Sequence, residues 1–87
     1  MGKATLNLPR VLEESIGTTR IDVRGATVKE ALEDAFDRYP ALRHHLIDEK
    51  GRLRAHILCF VGPDLKAMST PLKEGDQIRI FQAISGG

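Results

Sequence analysis

The chain closes on Ile84-Ser85-Gly86-Gly87, four residues whose types could do chemistry that no other stretch offers. Glycine carries no Cβ, so a Gly-Gly pair is slim and accepts almost any backbone angle. It can thread a narrow channel and present a bare carboxylate at the far end. An α-carboxyl titrates at about 3.3–3.7 and is ionised at neutral pH. The Gly87 carboxylate is therefore a nucleophile suited to the α-phosphorus of ATP held in a partner's active site. Gly86 keeps the approach clear, and Ser85 and Ile84 are the last side chains a partner could grip. The plain alternative is a frayed end, because chain termini are commonly disordered.

Other reactive residue types are sparse. His44 and His45 are adjacent, so on a helix they point about 100° apart and cannot chelate one metal together. His56 has no local partner, and all three read as surface histidines. Cys59 is the only cysteine. That excludes an internal disulfide and any cysteine-only zinc or iron–sulfur site. Within an apolar strand, Cys59 reads as a small buried hydrophobe. No metal site and no phosphate-cradling glycine motif is expected; Gly17, Gly25, Gly62 and Gly75 read as turn residues. Arg52 and Arg54 could steer an acidic partner, with a solvated strand start as the simpler reading.

Eighty-seven residues, 41% hydrophobic and 29% charged, suit one folded domain, 1–87, rather than a disordered chain. Thirteen basic against twelve acidic residues leave a formal charge of +1, which argues against nucleic-acid binding as the main task. With no Trp, one Tyr and three Phe, base-stacking platforms are scarce. No stretch approaches the roughly 20 apolar residues of a membrane span, and no apolar leader opens the chain. The expectation is no membrane partner and a cytoplasmic location.

The elements that must position the tail show in the periodicity. Residues 3–9 alternate, with Ala4, Leu6 and Leu8 apolar, and Pro9 closes the strand. Residues 19–24 alternate again through Ile21 and Val23, so the two strands read as a hairpin across a turn from Glu13 to Thr18. Thr27-Val28-Lys29-Glu30 fits a capping box. Val28, Ala31, Leu32, Ala35 and Phe36 follow at helical spacing, and Pro40 ends that helix. Ala41 to Ile47 reads as a second short helix. Residues 53–61 read as a long strand, Leu65 to Met68 as a short one, and Gln77 to about Ala83 as the last. One helix covering one face of a mixed four- or five-stranded sheet is an α+β solution. First and last strands can pair centrally in parallel, which is the β-grasp arrangement.

The opening strand, the Thr27–Arg38 helix, Leu72-x-x-Gly75-Asp76-x-Ile78, the apolar last strand and Gly86-Gly87 resemble the MoaD/ThiS family of ubiquitin-like sulfur carriers. The match spans essentially the whole chain. Length and the Tyr39–Ile47 segment resemble the molybdopterin and cysteine-synthesis carriers more than the shorter thiamine carriers. Leu6-Asn7-Leu8-Pro9, Tyr39 and Leu46-Ile47-Asp48 resemble carriers of the CysO type. Many family members have proline where Gln82 stands and alanine where Ser85 stands; these departures bear on which downstream enzyme accepts the tail.

The resemblance implies a chain that is a substrate of enzymes, not an enzyme. An E1-like partner adenylates the Gly87 carboxylate, consuming ATP. A sulfur-donor enzyme then displaces AMP to leave a C-terminal thiocarboxylate. A downstream synthase accepts the sulfur, in cysteine, molybdopterin or related cofactor biosynthesis. No permanently bound cofactor is implied, and residues 84–87 are the expected flexible tail. Docking is expected on the sheet face away from the helix, through Leu58, Phe60 and Phe81. One rival is a protein modifier joined through Gly87 to lysines of other proteins. The other is a non-covalent β-grasp interaction domain.

Overall fold

Alternating apolar positions build a sheet, and a change of period builds the helix that covers it. The structure is a computed structural model and describes residues 2–83. β1 (Gly2–Asn7) buries Ala4 and Leu6, and β2 (Arg20–Gly25) buries Ile21 and Val23. They pair antiparallel, with Leu6 opposite Ile21 and Thr5 opposite Asp22. The expected turn between them is more than a turn. The chain makes a 3-10 turn (Arg10–Leu12) and a single helical turn, α1 (Glu13–Ile16), and Leu12 joins the core.

α2 (Val28–Arg38) turns Val28, Ala31, Leu32, Ala35 and Phe36 inward. Its first amides lack intrahelical acceptors. Thr27 Oγ1 accepts from the Glu30 N–H at 3.3 Å, and the Glu30 carboxylate accepts from the Ala26 N–H at 3.0 Å. The Val28 and Lys29 amides donate to the carbonyls of Thr70 and Met68 at 3.0 and 2.9 Å. That use of carbonyls explains a departure from the expected Leu65–Met68 strand. Only Asp64–Leu65 forms a strand, β4, beside β3; the Lys66 N–H still donates to the Cys59 carbonyl at 2.9 Å, and the carbonyls of Met68 and Thr70 serve the start of α2.

Pro40 sits at the first turn of α3 (Pro40–Leu46), where its missing N–H costs nothing. α3 buries Leu42 and Leu46. β3 (Ile57–Val61) is shorter than the expected 53–61 span. The preceding residues cap α3 instead: the Arg54 N–H donates to the Leu46 carbonyl at 2.9 Å, and Arg54 Nε to the His44 carbonyl at 2.8 Å.

β5 (Gln77–Gln82) completes a sheet of order β2-β1-β5-β3-β4, parallel to β1 and antiparallel to β3. The turn before it sets its register. Gly75 takes φ +86°, a left-handed angle glycine adopts readily, and its N–H donates to the Lys3 carbonyl at 2.8 Å. The Thr5 N–H donates to the Asp76 carbonyl at 3.0 Å, and Leu6 lies opposite Ile78. A five-stranded mixed sheet with helices on one face and parallel central end-strands is the ubiquitin-like β-grasp, an α+β fold. The free edge of β2 is covered from α2: the Arg24 N–H donates to the Asp34 carboxylate at 2.9 Å, and Arg38 donates to the Asp22 carbonyl. Covering an edge in this way blocks strand addition by another chain.

Candidate functional site

β5 carries the chain from the core to the tail, and its side chains alternate between the two faces. Ile78 and Ile80 are buried against the helices, while Arg79 and Phe81 stand on the open face. β3 lies alongside with Ile57 and Cys59 buried and Leu58 and Phe60 half-buried on the other side. Leu58 is opposite Phe81, and Phe60 is opposite Arg79. The faces are therefore those the alternation predicts. Phe60 and Phe81 meet edge-to-face, with ring centroids 5.4 Å apart and planes at 85°, a favoured geometry for the ring quadrupoles. Phe81 remains 46% exposed.

The patch includes a residue that the sequence reading misses. Leu65 on β4 is opposite Phe60 and is 60% exposed. A two-residue strand has no periodicity to read. The tight turn at Gly62-Pro63 holds the missing signal: counting outward from Val61 opposite Asp64 puts Leu65 beside Phe60. Leu58, Phe60, Phe81 and Leu65 thus form an apolar surface across three neighbouring strands. It lies at the root of the tail, where Gln82 pairs with Ile57 and the Ala83 N–H donates to the His56 carbonyl at 2.7 Å. The candidate residues Ile84, Ser85, Gly86 and Gly87 lie outside the described residues.

The remaining candidates are structural. Burial pushes the Cys59 thiol up to about 11, which keeps it protonated and a poor nucleophile. His44 and His56 are exposed and His45 is half-buried. Among the described residues no group of three or more His, Cys, Asp or Glu side chains could hold a metal ion. The Asp48 carboxylate accepts from the amides of Arg52 and Lys50 at 3.0 and 2.9 Å. The Arg52 amide is the main cause of its lowered pKa, with desolvation opposing and the Lys50 amide and the Arg52 and Arg54 charges adding. Asp48 thereby closes its loop. Arg52 lies 3.8 Å from that carboxylate, and Arg54 caps α3, so both suggested steering residues have intramolecular roles. Gly25 is not a turn residue but the buried end of β2, where a Cβ would come within 2.6 Å of the Ala31 backbone nitrogen. Among the described residues no helix is long and apolar enough to cross a membrane.

Known proteins share this architecture over their full length. The ThiS family model matches residues 8–87. Small archaeal modifier protein 1 of Haloferax volcanii is 34% identical over 71 residues, covering 80% of this chain and 82% of that protein. A crystal structure of that modifier protein superposes with a TM-score of 0.88 at 28% identity, covering 99% of this chain and 100% of that one. A chain from the crystal structure of the Amycolatopsis orientalis BexX/CysO complex gives a TM-score of 0.85 at 26% identity, covering 97% of this chain and 99% of that chain. The solution structure of small archaeal modifier protein 1 from Methanosarcina acetivorans gives 0.84 at 29%, with 100% and 98% covered. The chain belongs to the ThiS family of ubiquitin-like β-grasp proteins, a family of small sulfur carriers and protein modifiers.

Proposed function

We propose that this protein is a sulfur carrier whose working group is the Gly87 carboxylate. The observation that supports it best is where the last strand ends. β5 leaves the sheet beside the apolar patch, and the family match runs through Gly87. The residues after Gln82 can span at most about 18 Å when fully extended. A partner that seats the patch therefore has the terminal carboxylate within reach of one active site. An E1-like enzyme docks on Leu58, Phe60, Phe81 and Leu65, and the tail enters its ATP site. The carboxylate oxygen attacks the α-phosphorus, pyrophosphate leaves, and a mixed anhydride with AMP forms. A persulfide sulfur from a donor enzyme then attacks the acyl carbon and AMP leaves. Reductive cleavage of the S–S bond by a thiol leaves the thiocarboxylate and a disulfide. A downstream synthase takes the sulfur from it.

The carrier's contribution is positional. Holding reactants close and oriented converts a bimolecular step into an effectively unimolecular one. No cofactor resides on the chain, ATP is consumed by the partner, and the setting is the cytoplasm. The BexX/CysO complex among the structural relatives supports a working partnership with another protein, and cysteine-type sulfur delivery is the pathway we infer from the CysO-type resemblance. The modifier named among the sequence relatives favours a second reading, in which a lysine amine attacks the acyl carbon of adenylated Gly87, AMP leaves and an isopeptide bond forms. The test is pyrophosphate release by the activating enzyme with the intact chain and with the chain lacking Gly87. The proposal expects release only from the intact chain. Equal release from both would remove Gly87 from the chemistry. A ladder of lysine conjugates in cells, lost on deleting Gly87, would favour the modifier.

A further inference from the structure

Charge on this molecule is sorted by face, although the whole chain carries only +1. The open face of the sheet presents Lys3, Arg20, Arg24 and Arg79, all exposed, against Asp22. The solvent side of α2 presents Glu30, Glu33, Asp34 and Asp37 against Lys29 and Arg38, a net negative balance. Among the described residues the ion pairs are Arg38–Asp34, Arg43–Glu33 and Arg52–Asp48. All belong to the helices or the loop after α3, and none engages a cation of the sheet face.

Register makes this arrangement informative. Arg24 lies directly opposite Lys3, and Arg20 opposite Asn7, whose other neighbour is Arg79. Like charges set directly opposite in a sheet destabilise it. The carboxylates of Asp22, between Arg20 and Arg24, and of Glu74, which accepts from the Lys3 N–H at 3.1 Å, offset only part of that. Arg79 stands at a seam, with Asn7 on one side and Phe60 on the other. The basic half of the face is thus continuous with the apolar half at the tail's root.

We propose that Lys3, Arg20, Arg24 and Arg79 form an electrostatic guide for the activating enzyme, whose matching surface sets carboxylates beside an apolar hollow. Arg79, at the seam, fixes the register between the two halves. The inference deepens the reading of the chain as that enzyme's substrate and rests on it. Complementary fields speed the encounter of two proteins, and salt weakens the effect. The apolar patch alone would give an association rate nearly independent of salt.

The experiment is rapid-mixing association of the chain with its E1-like enzyme at low and high salt, read separately from pyrophosphate release. Wild-type association is expected to fall about tenfold on raising the salt. Arg79→Glu lowers the low-salt rate by about tenfold and flattens the salt dependence, and Arg20→Glu acts in the same direction. Both positions are exposed, and a melting curve checks that each variant folds. The double variant Arg79→Glu/Asp37→Lys restores net charge on the opposite face and is expected to stay slow. Its recovery to the wild-type rate would mean that total charge, not this face, does the steering, and would overturn the proposal. So would salt-independent association of the wild type, or no association at all. An enzyme that binds with the predicted salt dependence yet releases no pyrophosphate would refute the sulfur-carrier reading and leave this one standing. Pyrophosphate release with unchanged association in the arginine variants would do the opposite.

Discussion

Ile80 and Phe81 are adjacent on one strand and face opposite ways, so substituting each for alanine separates folding from docking. Ile80 is 2% exposed and lies across from Cys59 in the core. Ile80→Ala loses the transfer energy of the removed carbons and leaves a cavity, a loss of about 2–5 kcal/mol. For a domain of this size each kcal/mol moves the melting midpoint by about 4–8 °C. Ile80→Ala should therefore melt at least about 8 °C early. Phe81 is nearly half exposed, so Phe81→Ala gives up less burial. It does lose the edge contact with Phe60, a pair contribution of about 0.5–1.5 kcal/mol, and the midpoint should fall by only several degrees. On the activating enzyme the order reverses. A central aromatic anchor typically contributes 2 kcal/mol or more, so Phe81→Ala should weaken binding by about 30-fold or more. Folded Ile80→Ala should bind almost normally. Calorimetric melting and equilibrium binding of both variants decide the matter. If Phe81→Ala melts as early as Ile80→Ala, or binds like the wild type, the assignment of the open face to docking is refuted.

Further outcomes follow from single contacts. Cys59 should resist alkylation in the folded chain and react only on unfolding, as read by mass. Its thiol titrates at about 11 when folded, against 9.0 ordinarily. The stability this contributes is present below pH 9.0 and is lost as the pH rises toward 11, by about 2–3 kcal/mol in all. Cys59→Ala should remove that part of the alkaline slope in urea titrations. Gly25→Ala should lower stability by about 1–3 kcal/mol, because its Cβ would strike the backbone of α2 at Ala31; an unchanged midpoint would refute the close approach. Replacing both Asp34 and Arg38 with alanine uncovers the β2 edge and should produce concentration-dependent self-association by light scattering; a strict monomer would show that other features protect that edge.

Periodicity made the face assignments legible before any coordinates. Ile57, Cys59, Ile78 and Ile80 alternate with Leu58, Phe60, Arg79 and Phe81, and a strand's period of two leaves one answer once the helix side is known. The capped helix was legible for a similar reason, since Thr27 and Glu30 mark its start. What failed lay where backbone groups serve a neighbouring element. Residues 53–56 look like strand by composition, yet Arg54 is held by the end of α3. Leu65 to Met68 reads as strand, yet the carbonyls of Met68 and Thr70 satisfy the start of α2. Those partners lie outside the strand-like stretch itself, in α3 for Arg54 and in α2 for Met68 and Thr70, and the alternation of the stretch carries no trace of them. Leu65 in the patch and the Arg24–Lys3 juxtaposition were hidden because both depend on register between strands. Gly25 reads as a turn by type and proves to be a point of close packing.

The central claim is that Gly87 leaves its partner enzymes carrying sulfur. The most direct measurement is the intact mass of the chain after incubation with its activating enzyme, ATP and a persulfide donor. The mass should rise by the difference between one sulfur and one oxygen, located by fragmentation at Gly87 and absent from the chain lacking that residue. A chain that binds the enzyme and is adenylated, yet keeps its original mass after the donor is added, would contradict it.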